Sequence, residues 1–243
     1  MPVNLTHPLR LALLLLLGWS LMSCHENDPC NQLDCGKGSC FDGDCLCPLG
    51  YYGFNCEEID PFYAQELLDK GYETPLSLLE KSDLKPSDIY GLTYKGGYIF
   101  FLDTNDEFPT FEGLVAAPFD VYEMTPICAY ETGATDREIG TGNRNTQKIE
   151  KTCSDNPQQP QPLSFGNLSL TGYDDWYLPS INELKLIRSH LYQIGKGGQF
   201  FPGWYWSSTE SDGQKAFRQD FLSGWIDTNP KENTLAVRAI RHY

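Results

Sequence analysis

Residues 172–184 read GYDDWYLPSINEL, and this stretch decides how the second half of the chain folds. Ser180 and Glu183 have the spacing of a capping box, in which each side chain accepts a hydrogen bond from the other residue's backbone N–H at the start of a helix. Apolar residues then recur every three or four positions as far as Ile194. The pattern predicts one amphipathic helix that runs from the cap to Ile194. Trp176 lies just upstream of the cap and is expected to fold onto the apolar side of this helix as a core residue.

The composition limits the classes of partner. The chain has 243 residues and a net charge of −15, with an aromatic share of 13%. This length fits one medium-sized domain and a small module. A protein with this much negative charge lacks the cationic surface that neutralises phosphates. Nucleic acid is therefore excluded as a partner, and sulfated polyanions are disfavoured.

The N-terminus predicts export. Arg10 precedes the apolar run LALLLLLGW, which is too short for an ordinary membrane span, so residues 1–23 are interpreted as a signal peptide. The residues LMSC that follow resemble a bacterial lipobox, which implies that Cys24 becomes the lipid-modified first residue of the mature chain and its link to the membrane. The two acids in residues 24–29 resemble the signal of outer-face lipoproteins, so we expect a surface-exposed outer membrane lipoprotein. The alternative is a plain signal peptidase site with Cys24 as a free thiol.

A cysteine-rich module follows at residues 30–58. Its six cysteines lie within a segment too short to have a core, and an exported chain allows disulfides to form. Spacing alone leaves fifteen pairings open. Zinc ligation is the alternative, but the spacings lack the usual C-x-x-C knuckles.

The last part of this module, CLCPLGYYGFNC, closely resembles the EGF-like family. The resemblance implies the pairs Cys30–Cys40, Cys35–Cys45 and Cys47–Cys56. The calcium-binding version of that module has an acid or amide directly before its first cysteine, where this chain has Pro29. Bound calcium is therefore not expected.

Residues 59–91 predict a short helical connector. One helix is expected around residues 64–70, and a second begins at Thr74-Pro75, where proline suits the first turn. Helices this short are not stable alone in water, so they must dock on a neighbouring structure. We expect a rigid spacer or a lid, because the segment contains no Gly/Ser-rich or Pro-rich run.

The remaining residues, 92–243, form a second domain in this interpretation. Apolar runs from Tyr98 and from Gly113 predict buried strands, and four strand-like runs after the central helix predict an antiparallel sheet. Short helices are expected from Asn145 and over residues 163–170. Cys128 and Cys153 remain once the other cysteines are assigned, and an exported protein seldom keeps two free thiols, so they are predicted to form a disulfide.

The motifs GLVAAP-x-D, GTG-x-x-NT, DW-x-LPS-x-x-EL, YWSSTE and VRA-x-R occur in this order within residues 92–243. They resemble a bacterial family of C-type-lectin-like domains that also forms the C-terminal domain of a collagen-like surface adhesin. The resemblance implies an α+β fold with two helices on a small twisted antiparallel sheet and long loops. The family is distantly similar to the formylglycine-generating enzymes and to tropism-determinant receptor binders.

Long loops on a rigid scaffold favour a binding protein, with a glycan or a surface protein as ligand. The candidate ligand surface comprises Asn143, Arg144, Asn145, Trp204, Glu210, Trp225 and Asp227. For the two tryptophans, the alternation of strand residues favours the core instead. The calcium–sugar triplets of true C-type lectins are absent from the sequence.

No catalytic residue, metal site or cofactor is predicted. The four histidines are scattered along the sequence, and no cysteine follows Cys153, whereas the formylglycine-generating enzymes carry their chemistry on late cysteines. Asp174 and Asp175 fit a turn better than a catalytic pair. Two alternatives stay open, a structural or assembly component of a surface appendage and, less favoured, an oxidoreductase-like enzyme.

Overall fold

A computed structural model of the chain describes residues 30–31, 33–124, 127–156 and 164–243. The predicted signal peptide 1–23, the lipid site Cys24 and the segment 24–29 lie outside the described residues.

The described residues form a mixed α+β structure with few helices and small, mainly antiparallel sheets. The helices are α1 (Ala64–Asp69), α2 (Pro75–Glu80), α3 (Pro86–Ile89), α4 (Gly142–Ser154) and α5 (Ile181–Ile187). The strands of the N-terminal region are β1 (Ser39–Phe41), β2 (Asp44–Leu46), β3 (Tyr51–Tyr52) and β4 (Glu58–Ile59). The later strands are β5 (Thr93–Tyr94), β6 (Gly97–Leu102), β7 (Gly113–Ala116), β8 (Val121–Met124), β9 (Trp204–Glu210), β10 (Lys215–Asp220), β11 (Ile226–Pro230), β12 (Leu235–Val237) and β13 (Ile240–His242).

Two larger sheets organise the second part of the chain. One has the order β11-β10-β9-β12-β8 and the other the order β13-β7-β6-β5. Neighbouring strands are antiparallel except β12 and β9, which are parallel. The last of the four predicted strand runs, LAVRAI at residues 235–240, contributes to both sheets, because the fully buried Arg238 lies between β12 and β13.

The disulfides of the N-terminal region are Cys30–Cys40, Cys35–Cys45 and Cys47–Cys56. Cys40 and Cys45 face each other across the β1–β2 hairpin, so both of the first two bridges lie against that hairpin. A fourth bridge, Cys128–Cys153, joins the end of α4 to the chain after β8. The first three pairs are those that the EGF-like resemblance implied, and the fourth is the predicted pair of the two remaining cysteines.

The connector packs as part of the protein core. It forms three short α-helices, one more than predicted, preceded by a 3₁₀ turn at Pro61–Tyr63. Leu67, Leu78 and Ile89 are buried in the same apolar cluster as Trp176 and Val237. The Gln65 side chain donates hydrogen bonds to the Thr93 hydroxyl (2.8 Å) and carbonyl (3.0 Å) and accepts one from its N–H (2.8 Å). The connector is therefore docked on the sheet that contains β5.

The central helix is shorter than predicted. Ser180 and Glu183 form the predicted capping box, but α5 ends at Ile187 and a π-helical turn spans Arg188–Tyr192. The wider turn brings Arg188 Nε within 2.9 Å of the Phe221 carbonyl, to which it donates a hydrogen bond. Ile194 then lies outside the helix with 48% of its surface exposed, so it does not extend the apolar stripe.

The two other predicted helices also differ in extent. Helix α4 starts at Gly142, earlier than the expected cap at Asn145 or Thr146, because Thr141 is its cap residue. Asn145 lies inside the helix, and its side chain donates to the Asp136 carbonyl. In the run 163–170, residue 163 lies outside the described residues, and the helical part of the rest is one 3₁₀ turn, Phe165–Asn167. A glycine in the middle of that run disfavours a longer helix.

Candidate ligand-binding surface

The polar loop at residues 140–145 folds around the central helix cap. The Glu183 carboxylate accepts hydrogen bonds from the N–H groups of Gly140 (2.8 Å) and Ser180 (2.7 Å). A Cβ atom at Gly142 would lie 2.3 Å from Glu183 Oε2, so only glycine fits there. Burial raises the pKa of Glu183 to about 7 although these backbone donors act to lower it. The GTG motif thus has a structural role.

Asn145 is removed from the predicted ligand surface because it is fully buried. Its Nδ2 donates hydrogen bonds to the Asp136 carbonyl (2.7 Å) and to Ser208 Oγ (3.3 Å). Asn143 is half-buried, whereas Arg144 is exposed and pairs with Asp136 at 3.1 Å. Only Asn143 and Arg144 of this group can meet a ligand.

Glu210 is likewise an interior residue, with 3% of its surface exposed. Its carboxylate pairs with the fully buried Lys231 and accepts hydrogen bonds from the N–H groups of Thr132 and Gly133, both at 2.9 Å. Because Glu210 positions the loop at 130–133 from inside, it does not belong to the ligand surface. The sequence offered no signal that Lys231 would be buried as its partner.

Trp204, Arg218 and Asp227 meet at one end of the five-stranded sheet. Arg218 donates to both carboxylate oxygens of Asp227, at 2.7 and 3.3 Å, and its guanidinium lies 3.9 Å from the centre of the Trp204 ring. Arg218 and Asp227 are opposed in the β10–β11 register. Side chains of opposed residues lie on the same face of a sheet, so the three groups form one ordered stack.

The turn between β10 and β11 extends this surface with two exposed apolar side chains, Leu222 and Trp225, each 68% exposed. Asp220 stabilises the turn by accepting hydrogen bonds from the Leu222 N–H (3.2 Å) and the Ser223 hydroxyl (2.5 Å). The Asp220 N–H donates to the Trp225 carbonyl at 2.9 Å, and Asp220 is opposed to Trp204 in β9. Trp225 therefore continues the row begun by Trp204, and the core position favoured by strand alternation is wrong for it, since it lies in the turn before β11.

We name the set Trp204, Arg218, Leu222, Trp225 and Asp227 the rim. The sequence predicted Trp204, Trp225 and Asp227 as part of the ligand surface, and the structure brings these three together. Leu222 and Arg218 were missed. The sequence of a single strand does not show which residue of the neighbouring strand an arginine such as Arg218 will pair with.

A buried ion pair fixes the loop that leads into the rim. Arg238 and Asp120 are both fully buried, and Arg238 Nε lies 2.5 Å from Asp120 Oδ1. Arg238 also donates to the Gly197 and Gln199 carbonyls, while Asp120 accepts from the Phe201 N–H at 2.8 Å. The loop 197–203 is consequently held from the interior on both sides.

A second surface feature was not predicted from the sequence. Two adjoining cavities of about 780 and 750 Å³ share Thr74, Tyr94, Lys95 and Tyr173 in their walls. The first lies between the connector and the β5–β6 hairpin, and the second extends from there along the loop at residues 103–112. We name the two cavities together the tyrosine groove. Its tyrosines come from distant parts of the chain, so no local sequence pattern reveals it.

The described residues contain no group of three or more His, Cys, Asp or Glu side chains that could hold a metal ion. Within the same part of the chain, no helix has the length and apolar character needed to cross a membrane.

Comparisons with known proteins add one assignment. No curated protein shows significant sequence similarity to the chain. Among solved structures, a fimbrial protein from Bacteroides ovatus is similar at 16% identity, over 83% of this chain and 47% of that protein, with a TM-score of 0.39. The chain thus spans about half the length of that protein. The family described as the Lcl C-terminal domain matches residues 131–241, so a domain of this kind is present in the second half of the chain.

Proposed function

We propose that this protein is a non-catalytic cell-surface binding protein whose rim contacts a glycan or a surface protein. In this proposal Cys24 carries the lipid anchor in the outer membrane, residues 30–58 are an EGF-like module, and residues 59–91 connect it to a C-type-lectin-like domain at 92–243. The match of residues 131–241 to the Lcl C-terminal domain supports a relation to the adhesin-type domain that the motifs resemble.

The observation that carries the proposal is the exposure of Trp225 beside an ordered polar stack. Leaving a tryptophan 68% exposed forfeits much of the free energy that its burial would contribute. Tryptophan and arginine are enriched among the residues that dominate binding interfaces. At the rim, Arg218 is already held by Asp227 and Trp204, so little side-chain entropy is lost when a ligand binds.

The N-terminal region supports a rigid presentation of the rim. Tyr51, Leu78 and Val237 belong to one continuous apolar cluster that extends from the disulfide-rich region to the five-stranded sheet. The Tyr51 hydroxyl donates to the buried Glu73 carboxylate at 2.6 Å, which joins that region to the connector. A ligand at the rim would therefore be held at a fixed position relative to residues near the proposed anchor.

The test compares the wild-type protein with Trp225→Ala in glycan-array binding and in pull-down of surface proteins. Phe62→Ala is the matched control, because Phe62 is an exposed aromatic residue (86%) in the connector. We expect Trp225→Ala to weaken binding at least about tenfold, as for a central interface tryptophan, and Phe62→Ala to leave it unchanged. Equal binding by all three proteins would refute the rim as the contact surface. Assembly into an appendage without any separable ligand would favour the structural alternative.

A further inference from the structure

The tyrosine groove carries polar groups that the protein itself does not use. In the described part of the chain, no hydrogen bond or ion pair engages the hydroxyls of Tyr94 and Tyr173, the Lys95 ammonium or the Glu112 carboxylate. Tyr94 and Tyr173 are half-buried, so their rings form walls and their hydroxyls stay available. The groove therefore offers donors and acceptors to a bound molecule.

These groups converge on one place. Tyr94, Lys95, Glu112 and Tyr173 all line the cavity of about 750 Å³, and burial together with the Glu112 carboxylate and the Tyr173 hydroxyl raises the pKa of Tyr94. The Tyr94 ring meets the Tyr243 ring edge to face at 5.0 Å, which fixes its orientation. A volume of about 750 Å³ on this side of the groove is within the usual range of small-molecule sites.

The tyrosine ring faces of the groove are not free for a cationic ligand. Aromatic walls attract cations above their ring faces, but both positions are taken by the chain's own cations. Lys95 Nζ lies 5.5 Å from the Tyr94 ring centre, and the Arg241 guanidinium lies 4.0 Å from the Tyr173 ring centre. A second cation there would meet like charge.

An anionic ligand is disfavoured for a different reason. Arg241 donates to both carboxylate oxygens of Asp175, at 2.5 and 2.8 Å, so its charge is already compensated. Asp103, Asp106 and Glu112 add three carboxylates to the walls. Because the whole chain also carries a net charge of −15, a neutral ligand rich in hydroxyl groups fits best.

We propose that the tyrosine groove binds a neutral sugar unit of an oligosaccharide. Glu112 accepts hydrogen bonds from sugar hydroxyls, Lys95 donates to them, and the Tyr94 and Tyr173 hydroxyls do either. The groove lies against the four-stranded sheet and the connector, whereas the rim belongs to the five-stranded sheet. The groove and the rim are therefore separate surfaces, and sugar binding at the groove does not depend on the function proposed for the rim.

Ligand-observed saturation-transfer NMR on the intact protein tests it, with maltotriose, cellotriose and triacetylchitotriose as neutral probes and sialyllactose as the anionic one. At least one neutral trisaccharide will bind, and more tightly than sialyllactose. Glu112→Gln will weaken that binding about tenfold through loss of a charge-assisted hydrogen bond. Tyr94→Phe, which removes only the hydroxyl, will weaken it less. Glu232→Gln is the control, since Glu232 is an exposed carboxylate outside the groove.

Three results would overturn the proposal. One is that none of the neutral trisaccharides binds at millimolar concentration. Another is that binding survives Glu112→Gln combined with Tyr94→Phe. The third is that Trp225→Ala abolishes sugar binding, which would assign the sugar to the rim. Sugar binding that is retained in Trp225→Ala and lost in Glu112→Gln supports the groove whatever the rim itself binds.

Discussion

Asp120→Asn removes the negative charge from the buried Asp120–Arg238 ion pair, which holds the loop at residues 197–203. Asp120 and Arg238 are both fully buried, and Asp120 also accepts hydrogen bonds from the Tyr205 hydroxyl (2.6 Å) and the Phe201 N–H (2.8 Å). The asparagine side chain retains one acceptor oxygen and adds an amino group. Arg238 is then left as a buried cation without a counter-charge.

Breaking a buried pair by removing one partner costs about 3–5 kcal/mol of unfolding free energy. For a protein of this size, about 4 kcal/mol lowers the melting temperature by roughly 8–16 °C. The matched control is Asp227→Asn, which disrupts the Arg218–Asp227 pair at the rim. The Asp227 side chain is 40% exposed, so solvent screening limits the loss there to about 0–1 kcal/mol.

Urea unfolding followed by tryptophan fluorescence measures both changes, and hydrogen exchange of residues 197–203 reports the loop itself. Asp120→Asn should raise exchange in that loop, because Arg238 no longer fixes the Gly197 and Gln199 carbonyls. A loss of stability no greater than that of Asp227→Asn would refute the assignment of this pair as the anchor of the loop.

Three further predictions concern the remainder of the core. Burial raises the pKa of Glu183 from 4.5 to about 7, so the folded state retains a proton that the unfolded chain has released. Unfolding free energy should therefore fall as the pH rises from 4.5 to 7, and Glu183→Gln should flatten that slope; an unchanged slope in urea titrations would contradict this. Replacing Cys128 and Cys153 by serine should cost about 3 kcal/mol in chemical denaturation, and no loss would show that the bridge is dispensable. Leu78→Ala should cost about 2–5 kcal/mol and expose residues 60–90 to protease, whereas rapid cleavage of the wild-type protein there would contradict docking of the connector.

Local chemistry was the part of the fold that the sequence predicted well. The capping box at Ser180 and Glu183 depends on side chains three residues apart, and the strand run that begins at Trp204 depends on residue type and turn punctuation. Trp176 is buried as expected, because an indole in a core removes so much apolar surface from water. Each of these features is set within a few residues.

Tertiary contacts decided what the sequence could not show. The helix after Ser180 was predicted to continue to Ile194, but hydrogen bonds from Arg188 and His190 to distant carbonyls accompany the π-helical turn. Glu210 looked like a surface acid until Lys231 was found buried beside it. Such pairings join residues far apart in the chain, and a single sequence carries no signal for them.

The candidate binding surfaces also comprise a part that the sequence predicted and a part that it did not. Trp204, Trp225 and Asp227 were identified because aromatic and acidic residues near strand ends are recognisable in the sequence. The tyrosine groove was missed because its walls combine the connector, the β5–β6 hairpin and the segment around Tyr173. Its existence depends on how the connector docks, which follows from the shared core and not from any motif.

The most direct test of the rim as a contact surface is site-specific photo-crosslinking on intact cells. A photoreactive phenylalanine analogue is placed at position 225, and at position 62 in a matched protein. The account predicts a discrete adduct from position 225 that is absent from position 62. An adduct from position 62 alone, or equal labelling from both positions, would contradict it.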